Sequence, residues 1–190
     1  MKSKNFFIKN RFGEKLKARV EWVSDKKKSL AVILVHGFGV DLHESDGFFD
    51  FIAVGLAAEG FIVYRFSFSG CGQSEGDFKE MTLSKQAAQL QDVLKFMRKQ
   101  RNIGKIGVLA QSFGTATTAA ALPIEIESLI FTGSDPNPAV NLRRLFEKDG
   151  EYKPSGVSWR ISKRTGKKTE IGPKFWQDLR KYNLVNNIKK

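Results

Sequence analysis

Lys105-Ile-Gly-Val-Leu-Ala-Gln-Ser-Phe-Gly-Thr-Ala-Thr-Thr-Ala-Ala-Ala121 changes character at Ser112. Up to Ala110 the run is short and apolar, as suits a central strand of a parallel sheet. From Thr115 onward the residues are small, which lets a helix lie close against such a sheet. A sharp turn between the two pushes the Ser112 hydroxyl out at the carboxyl end of the strand. It also leaves the Phe113 N–H at a helix start, aimed at a developing oxyanion.

The same alternation extends on both sides. Residues 30–35 and 61–66 read as buried strands, and Ser128–Thr132 as one more. Residues 45–59 read as a helix with Phe48, Ile52 and Leu56 on one face and Gly60 as its stop. Thr82 caps a long helix to Gln100, with Leu83, Ala87, Leu90, Leu94 and Met97 in register. Pro123 ends the helix after Ser112. Before these, 5–9 and 15–23 alternate apolar and polar residues around Asn10-Arg-Phe-Gly13, a hairpin, and 25–29 form a charged turn. The pattern predicts an α/β class fold, a mostly parallel sheet with helices on both faces. After Pro136 and Pro138 the alternation stops. The division expected is a core over 1–139, a basic, aromatic cap insertion over 140–186 and a stub at 187–190.

Composition narrows the function. Apolar residues make up 41% and charged residues 27%, ordinary for a globular chain of 190 residues. No apolar run approaches the ~20 residues that span a bilayer, and the start lacks the apolar core of a secretory signal. One cysteine, Cys71, permits no internal disulfide and fits a reducing, cytoplasmic setting. The net charge of +12 is uneven: 18 Lys/Arg face 15 Asp/Glu up to residue 140, and 14 face 5 beyond it. A solvated lysine-rich segment accounts for this better than a nucleic-acid site does.

Three turns fall at the carboxyl ends of parallel strands, the edge where open α/β sheets carry their sites. They are His36-Gly-Phe-Gly39, Ser69-Gly-Cys-Gly-Gln-Ser-Glu-Gly76 and the Ser112 turn. Together with Phe175-Trp176, they give the chain its resemblance to α/β-hydrolases of the serine-esterase and serine-aminopeptidase-like branch, which includes cinnamoyl and feruloyl esterases. Ala110 and Gln111 depart from the usual Gly-x-Ser-x-Gly pattern with its common His, and Ala110 is small enough for the turn. The resemblance implies a serine hydrolase of carboxylic esters. Ser112 would be the nucleophile, and the Phe38 and Phe113 N–H groups would form the oxyanion hole. No cofactor or metal is implied. It also implies an Asp and then a His after later strands, and neither region is present. The expectation is therefore a fragment: six N-terminal strands and a cap, with the last two strands missing and little activity alone. Its partner would be a small ester, with no membrane partner, and the exposed sheet edge invites self-association. The alternative is a non-catalytic, hydrolase-like binding protein with a basic C-terminal partner site.

Other residues read more plainly. His36 is better placed to shape its turn by hydrogen bonding than to act as a base. His43 with Asp41, Glu44 and Asp46 resembles helix-start carboxylates more than a metal site. Cys71 reads as a packed thiol, and Gly70, Gly72 and Gly76 miss the dinucleotide spacing. Asp135 reads as the start of a proline-rich turn more than as a catalytic acid. Trp159, Phe175 and Trp176 either line an acyl pocket or form the cap's own core.

Overall fold

The computed structural model describes residues 1–23, 29–122 and 124–184. The charged turn at 25–28, Pro123 and the stub at 187–190 lie outside the described residues. Six strands form one sheet: β1 (Lys2–Lys9), β2 (Lys15–Trp22), β3 (Ser29–Val35), β4 (Ile62–Phe66), β5 (Ile103–Gln111) and β6 (Ser128–Thr132). Their order is β1-β2-β4-β3-β5-β6. β1 and β2 make the antiparallel hairpin. β3 runs parallel to β4 and β5, and β5 parallel to β6. Parallel pairing requires crossovers, and helices supply them on both faces.

Alternation along β3 shows how the layers divide. Ile33 and Val35 point to the face covered by α2 (Leu83–Arg98), where Leu90, Val93, Leu94 and Met97 are buried. Leu34 points to the opposite face, covered by α1 (Phe48–Ala58). Thr82 caps α2 as its sequence predicts, its hydroxyl accepting the Lys85 N–H at 3.0 Å. The face expected for α1 is corrected by one residue. Phe49, Ala53 and Ala57 are buried, whereas Phe48 is 41% exposed and Ile52 and Leu56 sit at the margin. A 3-10 turn at Ser45–Gly47 precedes the helix, with Gly47 left-handed, and it resets the rotation of the first turn. The small Ala53 and Ala57 then let α1 lie close on Leu34 and Val63. Leu30, expected to be buried, is half exposed at the start of β3.

Residues 138–184 are more regular than their sequence pattern suggests. Asn137 caps α4 (Pro138–Asp149), its side chain accepting the Val140 N–H. A separate antiparallel sheet follows, β7 (Gly150–Glu151), β8 (Ser158–Ile161) and β9 (Lys168–Ile171), and then α5 (Pro173–Leu179). The buried apolar residues are few and come in short pieces, Leu142 and Phe146 from α4, Ile171 from β9, and Phe175, Trp176 and Leu179 from α5, so no single period is visible. Phe146, Ile171, Phe175, Trp176 and Leu179 gather onto Met81, Leu83, Phe113, Ala116 and Ala119. The buried Asp178 carboxylate ties α5 to the start of α2, accepting the Ser84 N–H and hydroxyl at 2.7 Å each. Among the described residues, no helix is long and apolar enough to cross a membrane.

Candidate active site

The loops after β3, β4 and β5 meet at one sheet edge, and His36 joins the first two. Its ring is 1% exposed. Nε2 accepts the Phe68 N–H at 3.0 Å, so the ring proton lies on Nδ1, which donates to the Gly37 carbonyl at 2.9 Å. Burial lowers its pKa to about 4, leaving a neutral ring at physiological pH. His36 therefore shapes the turn, as its sequence position suggests.

Ser112 lies between the last residue of β5 and the first of α3 (Phe113–Ala121). Its backbone is at φ 51, ψ −122, a conformation that costs a non-glycine residue about 1–3 kcal/mol. The bonds around it hold it there: its N–H donates to Thr132 O at 2.9 Å, and its carbonyl accepts from the Thr115 N–H and hydroxyl. Phe113 opens α3, so its N–H has no acceptor within the helix. A Cβ at Gly114 would press on the carbonyls of Val35 and His36, so only glycine lets α3 start this close to the 36–39 turn. A Cβ at Gly37 would lie 3.2 Å from Ser112 Cβ. Among the described residues, the only non-glycine positions with positive φ are Glu44, Asp46 and Ser112.

Aromatic rings back the 36–39 turn. Phe38 packs edge-on to Phe78, Phe113 and Phe146 at 5.4, 5.7 and 6.1 Å, and Phe175 lies 6.0 Å from Phe38 and 5.9 Å from Phe113. The three aromatics singled out in sequence therefore separate. Phe175 is fully buried and packs against Phe38 and Phe113. Trp176 sits in the interior of the 138–184 segment, edge-on to Phe146 and Tyr152, with Nε1 donating to Ser158 Oγ. Trp159 donates to Glu151 and lies under Lys168.

Beside Phe38 a cleft of about 660 Å³ opens between the 39–46 loop and the β8–β9 hairpin. Arg164 closes part of it by pairing with Asp46 at 2.6 Å, and Lys167 Nζ donates to Gly39 O at 3.2 Å. Sequence reading missed these contacts. They join residues more than a hundred positions apart, and no local pattern marks them. Glu44, a helix-start carboxylate by its sequence position, also accepts the Gly37 N–H at 2.6 Å. His43 pairs with Asp50 at 2.9 Å, and Asp135 accepts from Asn137 and Asn141 at the start of α4. Among the described residues, no three His, Cys, Asp or Glu side chains gather as a metal-holding group. Burial pushes the Cys71 thiol up to about 12, so it is not a nucleophile at neutral pH. No hydrogen bond joins either histidine to Ser112 among the described residues.

Residues 31–159 match the sequence model of the alpha/beta hydrolase fold. The chain belongs to the α/β-hydrolase fold family. No curated protein matches this α/β-hydrolase in sequence. Solved structures do resemble it in fold. Est1E from Butyrivibrio proteoclasticus, with ferulic acid bound, superposes with a TM-score of 0.77 at 18% identity, over 96% of this chain and 73% of that one. The α/β hydrolase GrgF from Penicillium sp. sh18 gives 0.74 at 16% identity, over 98% and 75%. The esterase domain of a Rhodothermus marinus protein gives 0.69 at 21%, over 100% and 72%. This α/β-hydrolase thus spans about three quarters of the length of those chains.

Proposed function

We propose that this α/β-hydrolase is a serine hydrolase of carboxylic esters with Ser112 as its nucleophile. The observation that carries the reading is the strained Ser112 backbone at a strand-to-helix turn, with glycines 37 and 114 bringing the 36–39 turn against it. In this reading Ser112 Oγ attacks the ester carbonyl. The Phe38 and Phe113 N–H groups stabilise the oxyanion, the alcohol leaves, and water releases the acid from the acyl-enzyme. Phe38, held from behind by the buried Phe113 and Phe175, gives the cleft an aromatic surface suited to an aromatic or medium acyl group, and ferulic acid bound to Est1E agrees with that choice. The 138–184 segment then acts as a cap over the site.

A general base must take the Ser112 proton, and neither histidine is free for it. His36 is buried between Phe68 and Gly37, and His43 pairs with Asp50. Turnover by this chain alone is therefore expected to be negligible. Covalent labelling asks less, because nucleophile and oxyanion donors alone retain part of the rate enhancement. A fluorophosphonate should attach to Ser112, located by peptide mass spectrometry, and Ser112→Ala should abolish the label. A chain whose Ser112 stays unlabelled would instead fit a hydrolase-like binding protein, a reading favoured by the engaged histidines and the basic segment after residue 140.

A further inference from the structure

We propose that Glu44 is a positioning residue for the reaction at Ser112: its carboxylate grips the Gly37 N–H and so fixes the turn that carries the Phe38 N–H. The inference rests on the reading of Ser112 and Phe38 given above and adds a residue to it. Glu44 Oε2 accepts the Gly37 N–H at 2.6 Å, a short, charge-assisted bond. Oε1 accepts the Ser45 N–H at 3.1 Å. The position of a Cβ on Gly37 lies 3.4 Å from Glu44 Oε2 and 3.2 Å from Ser112 Cβ. Carboxylate, glycine and serine thus converge, and a side chain at residue 37 would crowd Ser112.

The backbone of Glu44 shows that the side chain is wanted. It sits at φ 59, ψ −172, a region nearly reserved for glycine. Glycine there would remove the strain and keep the path of the loop. Bonding the Ser45 N–H alone would suit a shorter capping side chain such as Asp or Ser. Only the reach to Gly37 calls for Glu.

The loop behind Glu44 is fixed on several sides. Buried Arg65 donates to the Leu42 carbonyl at 3.3 Å and to Asp50 at 2.5 Å. Ser67 Oγ accepts the Leu42 N–H at 3.0 Å, and Asp46 pairs with Arg164 from the opposite wall of the cleft. A carboxylate mounted on such a loop holds the Gly37 amide still, and a fixed donor is what oxyanion stabilisation requires.

The experiment compares Glu44→Gln and Glu44→Gly with the unaltered chain. Three readouts are taken: thermal midpoint, amide exchange at Gly37, and the saturating rate of Ser112 phosphonylation by a p-nitrophenyl alkylphosphonate, followed by released p-nitrophenolate. Glu44→Gly should keep or raise the midpoint, speed Gly37 exchange, and slow the saturating rate roughly ten- to a hundredfold with little change in half-saturation. Glu44→Gln keeps an acceptor oxygen and should recover most of the rate and the protection. A Glu44→Gly chain that reacts at the unaltered rate, or a Glu44→Gln chain as impaired as Glu44→Gly, would overturn the proposal. If Ser112 of the unaltered chain takes no phosphonyl group, the nucleophile reading falls by itself. The Gly37 exchange of the two variants then decides whether Glu44 holds the turn.

Discussion

At Gly114 a single methyl group would have nowhere to go: its Cβ would lie 2.7 Å from the His36 carbonyl and nearer still to that of Val35. Both obstacles are backbone, so neither rotates away. Gly114→Ala is expected to lower stability by about 1–3 kcal/mol, read by urea denaturation. His36 makes a second prediction, in pH. Its folded pKa is about 4, below the ordinary 6.5. The unfolded chain therefore binds a proton first as pH falls, and stability drops between those values. Between pH 7 and pH 5 this one ring should cost about 2 kcal/mol. His36→Gln should show a flatter dependence over that window; equal slopes would remove His36 as the cause. Sequence made the Ser112 turn and its glycines readable because backbone demands at a strand-to-helix turn are local. Glu44 was visible only as an acidic residue, since what its carboxylate touches depends on how the 36–46 loop folds back.

Among the elements, β4 carries an unusual burden: Arg65 is buried near its carboxyl end, paired with Glu21 of β2 and with Asp50 of α1. Burial works to lower the guanidinium's pKa, and the hydrogen bonds to Glu21 and Asp50 outweigh it and raise it. Arg65→Met would strand the Glu21 carboxylate inside the sheet, with Arg19 its remaining partner. A loss of about 3 kcal/mol is expected by denaturation, toward the lower end for breaking a buried pair. The junction of α5 with α2 is a second test. Asp178→Ala removes the acceptor of two Ser84 bonds at a helix start. It should cost about 1–3 kcal/mol and speed amide exchange within Pro173–Leu179 more than in β5. Strand and helix order from 30 to 132 was legible because each element carries its own period. The α1 face shifted by one residue because a left-handed Gly47 sets its rotation, and sequence period alone does not report that. The 138–184 elements show no period in sequence because their interior is assembled from apolar residues scattered over α4, β9 and α5, from the start of α2 and from α3.

For the whole molecule, β6 is the outermost strand of the described sheet on its side, and its Ile130 is 54% exposed. On α1, Phe51 is 76% exposed. An open edge with Ile130 exposed on it favours pairing with a second copy, and Phe51 adds a separate apolar side chain on α1. Sedimentation should show concentration-dependent association, and Ile130→Lys should shift it toward monomer; an unchanged distribution would place the contact elsewhere. The buried Cys71 has a different consequence, a practical one. With its thiol held protonated and out of reach, the chain is silent toward maleimides under mild conditions. A cysteine introduced at Thr165, in the β8–β9 turn, would then be the sole attachment point for a fluorophore. Reporter intensity from that dye should respond to a molecule entering the cleft that Thr165 lines, without the scrambled signal that a reactive native thiol creates.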